Sequence, residues 1–210
     1  MSSFSIKSVV VGPVDVNCYI LKDKATGKGA VIDPGGHVER IMSLINDMKA
    51  DIAEIIITHG HFDHIGALDE LRNAVGCGAS IHELDAEMLL KSRKNLSIFM
   101  GTDASFRPAE RLLKDGDVIR FGESFLKVIH TPGHTAGGIC LYDGDKVLFS
   151  GDTLFAGSVG RSDFPGGDHY QLIESVVKAL AEVKDETVVY PGHGPETGMG
   201  YERKTNPFLG

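Results

Sequence analysis

The segment Thr58-His59-Gly60-His61-Phe62-Asp63-His64 places three imidazoles and a carboxylate within six residues, directly behind the run Ile55-Ile56-Ile57. A β-branched triplet of this kind reads as a buried strand. Four ligand-type side chains at its mouth carry a desolvation cost that a plain core would not repay. The chain must therefore fold so that they share a partner. Neutral imidazole nitrogens and carboxylate oxygens suit zinc, iron or manganese. His59 and His61, two residues apart, can aim at one ion. Asp63 and His64 stand at the start of the next helix and suit a second ion close by.

Two coordination spheres need more donors than one cluster holds. Three further candidates stand at the ends of expected strands: His134 in Thr131-Pro132-Gly133-His134-Thr135, Asp152 in Ser150-Gly151-Asp152-Thr153, and His193 in Pro191-Gly192-His193-Gly194. Turns stiffened by Pro and Gly at strand ends are where such ligands are carried. Five histidines and two aspartates match what an ion pair about 3.5–4 Å apart requires besides a bridging water. His37, His82, His130 and His169 lack this support and read as surface or supporting groups. His130, next to the TPGH turn, is the first candidate to orient a ligand, and Thr135 the second.

The rest of the chain alternates short strands and helices. Strands are expected over residues 6–11, 18–21, 30–32, 55–57, 79–82, 118–121, 125–130, 139–142, 146–149 and 187–190. Apolar residues at helical spacing predict helices over 38–48, 64–75, 85–94 and 170–183. Residues 95–111 show little periodicity and read as a loop, a flap over the site. With no repeat and no linker, 1–210 reads as one α/β domain with two sheets packed between outer helices.

Composition narrows the function. The formal net charge of −8, from 29 acidic and 21 basic residues, argues against nucleic acid and against an anionic membrane as partners. Cys18, Cys77 and Cys140 form no CxxC pair, which suits reduced thiols in the cytoplasm. The N-terminal residues lack the pattern of a signal peptide, and no run approaches the roughly 18 apolar residues of a membrane helix.

Taken together, THGHFDHIG, TPGHTAGG, SGDTLFAG and YPGHGPET resemble the metallo-β-lactamase superfamily, and within it the glyoxalase II (hydroxyacylglutathione hydrolase) branch. VNCYIL and VIDPGG resemble that family's first strands. The resemblance implies a four-layer αβ/βα sandwich, two mixed sheets between outer helices. It implies that His59, His61 and His134 bind one divalent ion, that Asp63, His64 and His193 bind the other, and that Asp152 bridges both. Longer members add a C-terminal helical domain that supplies cations for glutathione; here 17 residues follow His193, so no such domain is expected. Arg203 and Lys204 resemble a family tail. Arg161 falls where the longer enzymes carry a lysine for the glutathione carboxylate, and Asp163 replaces their tyrosine. The GRSDF wording is similar to short single-domain members of the branch and to persulfide dioxygenases.

The expected reaction is hydrolysis of a small thioester, S-2-hydroxyacylglutathione, by a hydroxide bridging two ions, zinc first and iron or manganese next. Asp63 would orient that hydroxide and later accept its proton. Arg161 is the candidate for a substrate carboxylate, with an ion pair to Asp163 or Asp168 as the competing role. The alternative is an iron-dependent persulfide dioxygenase acting on glutathione persulfide through His59, His134 and Asp152. A β-lactamase ranks lower, because the chain has a cytoplasmic look and no cysteine ligand stands near Asp63, His64 and His193.

Overall fold

A computed structural model describes residues 3–209. Two six-stranded mixed sheets form its centre. In the first, β1 (Phe4–Val11), β2 (Val16–Asp23) and β3 (Lys28–Ile32) are antiparallel. β4 (Asp51–Ile56), β5 (Ala79–His82) and β6 (Arg111–Leu113) then add in parallel to β3. In the second, β7 (Val118–Phe121), β8 (Ser124–His130), β9 (Ile139–Tyr142) and β10 (Val147–Gly151) make an antiparallel meander. A short ribbon of β11 (Leu154–Phe155) and β12 (Ser158–Val159) follows. Beyond it, β13 (Val188–Pro191) pairs in parallel with β10, and β14 (Thr197–Gly198) closes that edge.

The two-residue period of a strand sorts these side chains into layers. On β2, Tyr19 and Leu21 face the second sheet, while Cys18 and Ile20 face the helices on the other side. After Ile55 the same alternation sends Ile56 between the sheets and Ile57 outward. Both faces are covered, which is why the triplet is apolar without a break. The outer face of the first sheet packs on α1 (Val38–Met48), α3 (Leu68–Val75) and α4 (Ala86–Leu90) through Ile41, Ile45, Leu68, Leu71 and Leu89. Leu172 of α5 (His169–Glu174), with Val176 and Leu180 behind it, covers the second sheet together with Met199 of α6 (Met199–Thr205). The result is the expected four-layer αβ/βα sandwich. No helix among the described residues is long and apolar enough to cross a membrane.

Local structure departs from the sequence expectation at informative points. The helix expected over 64–75 is two: α2 (Phe62–Ile65) stops at Gly66, and Ala67 N donates to Pro34 O at 2.9 Å instead of to its own turn. That bond ties the cluster to the turn after β3. The helix expected over 170–183 is α-helical only to Glu174 and continues as one π turn over Ser175–Ala179. The one expected over 85–94 shrinks to a 3-10 turn at Glu83–Asp85 followed by α4. β6, β11, β12 and β14 are two or three residues long, too short to leave a periodicity. Lys49, at the end of α1, is left-handed (φ 52°) and donates its N–H to Asn46 and Ile45 carbonyls, so a helix stops there without glycine.

In the inter-sheet core Phe149 is fully buried, with its ring 5.1 Å from Tyr19 and 5.4 Å from Tyr190. Phe149→Ala should lower unfolding stability by about 3–5 kcal/mol, read as a shift of the urea midpoint at unchanged slope. A loss below about 1 kcal/mol would mean that the two sheets do not lock together here.

Candidate metal centre

Each sequence-predicted ligand leaves the C-terminal end of a strand. His59 and His61 follow β4, Asp63 and His64 lie on α2, His134 follows β8, Asp152 follows β10 and His193 follows β13. The two sheets point these ends at one another. Thr58 O accepts from Ile139 N at 3.0 Å, joining the β4 loop to β9. On the other side, Asn17 of β2 grips the His193 loop: its N–H donates to Gly192 O, and its side-chain amide donates to Pro191 O and Gly194 O.

The seven side chains converge. His61 Nδ1 lies 2.9 Å and His59 Nε2 3.2 Å from His134 Nε2, so three ring nitrogens surround one point. On the opposite side, Asp63 Oδ2 is 3.2 Å from His193 Nε2 and 3.6 Å from His64 Nε2. Asp152 spans the two groups. Its Oδ1 is 3.4 Å from His64 Nε2, and its Oδ2 is 3.5 Å from His134 Nε2 and 3.6 Å from His193 Nε2. Three sets of ligand atoms each fall within 4.8 Å of one another: His59, His61, His134; His59, His64, Asp152; and Asp63, His64, His193.

The remaining ring nitrogen is fixed from outside in four of the five histidines, while that of His61, Nε2, is buried without a hydrogen-bond partner. Thr58 gives its hydroxyl proton to Asp33 Oδ2 (2.6 Å), so its oxygen accepts from His59 Nδ1 (3.2 Å) and leaves His59 Nε2 a free lone pair. His64 Nδ1 donates to Asp33 Oδ2 at 2.9 Å, His134 Nδ1 to Arg161 O at 2.6 Å and His193 Nδ1 to Val14 O at 3.1 Å. This is the arrangement that orients imidazoles toward an ion. His64 Nε2 and Asp152 Oδ1 are buried without a well-formed hydrogen bond. Orphans of that kind are costly unless a cation takes them up. The donor set therefore fits one or two divalent ions. A Cβ on Gly192 would stand 2.3 Å from Asp152 Oδ1, so only glycine lets this backbone pass so near.

Electrostatics divides the rings. Burial, with crowding by His64, His134 and His61, holds His59 far below the ordinary imidazole range, and burial with His134 lowers His61 to about 3. Both are neutral and ready as ligands. Burial also opposes charge on His64, but Asp152, Asp63 and Asp33 outweigh it and raise that ring well above its usual value. For His193, burial is likewise outweighed, by the hydrogen bond to Asp63 and the charge of Asp152. Protons thus occupy this half of the cluster where an ion would otherwise sit.

Two carboxylates that sequence reasoning missed hold the ligand loops. Asp33 accepts from Thr58 N, Thr58 Oγ1 and His64 Nδ1. Asp85 accepts from Gly60 N (3.0 Å), Thr135 Oγ1 (2.7 Å) and Gly137 N (2.7 Å), joining the His59–His61 turn to the His134 turn. Thr135 thus acts on the loop rather than on a ligand ring. His130 stacks on His82 (4.1 Å, 9°) and meets Ala136 O, one turn from the cluster. His37 Nδ1 accepts from Gly12 N, and His169 lies beside Ser162.

A cavity of about 600 Å³ opens over the cluster, floored by His61, Asp63, His134, Asp152 and His193. Arg161 is on its wall, paired through Nε and Nη2 with both oxygens of Asp163 (2.8 Å each) and lying 3.8 Å from the centre of the Phe164 ring. Of the two roles the sequence left open, the ion pair is the one this geometry displays. Arg203 instead ties Asp185 and the carbonyls of Leu180, Ala181 and Val183, and neither it nor Lys204 lines the cavity. Cys18 and Cys140 are buried, Cys77 is partly so, and all three are free thiols.

Residues 11–193 match the model of the metallo-beta-lactamase superfamily, and the chain belongs to that superfamily. Its fold and its converging His/Asp cluster are those of a metallo-hydrolase. The chain is 36% identical to the probable metallo-hydrolase YqgX of Bacillus subtilis over 95% of this chain and 94% of that one. It is 32% identical to the hydroxyacylglutathione hydrolase GloC of Haemophilus influenzae over 98% of both chains. Among solved structures it resembles the BLEG-1 B3 metallo-beta-lactamase (TM-score 0.92, 34% identity, 98% of this chain and 99% of that one). It also resembles TTHA1623 in a di-iron-bound form (0.84, 37%, 97% and 100%) and ETHE1 from Myxococcus xanthus (0.80, 28%, 97% and 83%).

Two outcomes follow from the geometry. Asp33→Asn replaces an acceptor with an amide facing His64 Nδ1, which favours the wrong tautomer. Chelator competition should show metal affinity weakened by about 10–100-fold, and unchanged affinity would remove Asp33 from the centre. Because metal entry displaces protons from His64 and His193, affinity should rise with pH, by up to about tenfold per unit for each proton released. Affinity flat between about pH 5 and 8 would contradict this protonation pattern.

Proposed function

We propose that this protein is a binuclear metallohydrolase that cleaves acyl-thioesters, S-2-hydroxyacylglutathione foremost, in the cytoplasm, with 1–210 as one catalytic domain. The observation that carries the reading is Asp152, whose Oδ2 lies between His134 of one ligand set and His193 of the other, with Oδ1 toward His64, on the floor of a substrate-sized cavity. His59, His61 and His134 would hold one divalent ion, Asp63, His64 and His193 the other, and Asp152 both. Such ions, zinc first and iron or manganese next, supply charge that acidifies a shared water toward a pKa of ~7 and polarises the substrate carbonyl.

The chain's own groups set the geometry of attack. Asp63 keeps a low proton affinity despite burial, through His64 and its hydrogen bond from His193. It therefore accepts a hydrogen bond from the attacking water and orients it, and as a weak base it holds that proton only in passing. The hydrogen bonds from His59, His64, His134 and His193 to outer partners keep the ligand rings from turning during the reaction. Apolar walls around the floor exclude bulk water and so strengthen every charge interaction at the carbonyl. The full-length likeness to the hydroxyacylglutathione hydrolase of H. influenzae supports glutathione as the thiol.

The similarity to a di-iron-bound protein favours iron as a competitor to zinc, and iron opens the second reading, a glutathione persulfide dioxygenase using His59, His134 and Asp152. One set of assays separates the readings: S-D-lactoylglutathione hydrolysis, oxygen uptake on glutathione persulfide and β-lactam opening, each beside metal content. Thioester cleavage with two ions per chain is expected, and Asp152→Ala should lower it by at least about 100-fold. Undiminished turnover in Asp152→Ala would sink the two-ion mechanism, and one iron per chain with oxygen uptake would replace it.

A further inference from the structure

Asn95, Leu96, Phe99 and Met100 line the cavity together with Arg161, and they belong to the segment that the sequence leaves without periodicity. It is tightly built. Asn95 is fully buried; its backbone carbonyl accepts from Phe62 N, its Oδ1 from Ser97 N, and its Nδ2 donates to Ala104 O. Ser97 Oγ accepts from Ala104 N, closing the loop on itself. Leu96 between them has φ 68°, in the left-handed region that a γ-branched residue enters only at a cost. Strain of this kind persists where surrounding contacts enforce it, and here the enforced result is that Leu96, Phe99 and Met100 line the same cavity as the candidate ligands.

Phe99 is 76% exposed, an unusual place for a large ring held by so ordered a turn. Phe164 and Phe155 line the same cavity, 5.9 Å from His61 and 6.3 Å from His193 respectively, ring centre to ring centre. Outside the candidate ligands, the one Lys or Arg among the described lining residues is Arg161, and Asp163 already takes its Nε and Nη2 donors. The walls thus offer apolar area next to the ions and no unpaired positive charge.

We propose that Leu96, Phe99 and Met100 form an acyl subsite, so that the preferred substrates are thioesters carrying an extended aliphatic or aromatic acyl group. The chemistry rests on the thioesterase reading, whereas the subsite is a binding property and can be measured without turnover. The test is calorimetric binding of the linear carboxylates butanoate, hexanoate and octanoate to the metal-loaded protein. Their headgroup is constant, so the slope with chain length reports the wall alone. Affinity should rise about three- to fourfold per methylene. Phe99→Ala should flatten that slope at unchanged metal content, and Phe99→Leu should restore most of it.

A flat slope in the unaltered protein overturns the subsite whether or not S-D-lactoylglutathione is cleaved. A slope that survives Phe99→Ala overturns it too. So does a dimer that Phe99→Ala converts to monomer at unchanged slope, because the ring would then serve a second copy of the chain. Failure to cleave any thioester, with the slope intact, would instead count against the hydrolase reading alone.

Discussion

Ligand atoms that approach one another to 2.9–3.6 Å, mostly buried and mostly with lone pairs facing inward, are unstable neighbours unless a cation lies among them. Everything around this centre counters that repulsion. The strand ends that carry the ligands belong to two different sheets, so the cluster exists only when the sandwich has closed. Asn17 of β2 holds the His193 loop of the other sheet, and Thr58 O accepts from Ile139 N across the same gap. The centre therefore draws its rigidity from long-range pairing, with partners up to 179 residues apart. Loop propensity alone would not hold it.

That dependence explains what could be seen in the chain before folding. His59, His61, Asp63 and His64 are legible because they are crowded together in sequence, and a crowd of ligands has no other purpose there. His134, Asp152 and His193 are legible because each follows an apolar run and stands beside glycine. Asp33 and Asp85 are not. Asp33 sits in Asp-Pro-Gly-Gly, where a carboxylate reads as an ordinary turn residue. Asp85 lies 25 residues beyond Gly60 and 50 before Thr135, with nothing local to mark it. Orienting groups act through space, and spacing along the chain carries no trace of them. The same holds for β6, β11, β12 and β14, whose pairing is decided by neighbours, and for the split between α2 and α3, where Pro34 O captures Ala67 N.

The opposed proton affinities of the rings follow from the same packing. His59 and His61 sit among other imidazoles and lose their protons to crowding and burial. His64 and His193 sit among carboxylates and keep theirs. A metal-free chain can thus settle its charge by protonating one half of the cluster, which softens the cost of folding before loading. Metal binding then exchanges protons for an ion. This makes affinity a function of pH without requiring the strands to move.

A charged floor beneath apolar walls also bears on selectivity. Charges at the base of a cavity act more strongly when the surrounding surface is poorly hydrated, so Phe155 and Phe164 contribute to the chemistry without touching a reacting atom. The same surface discriminates among substrates, since an anionic group that reaches Arg161 must displace Asp163 from both donors, whereas an apolar group meets no such competitor. An Arg–carboxylate fork is hard to exchange for another carboxylate, because the incoming group gains little beyond what it displaces. In the proposed reaction the floor sets where the scissile bond must lie, and the walls decide which substrates can place it there.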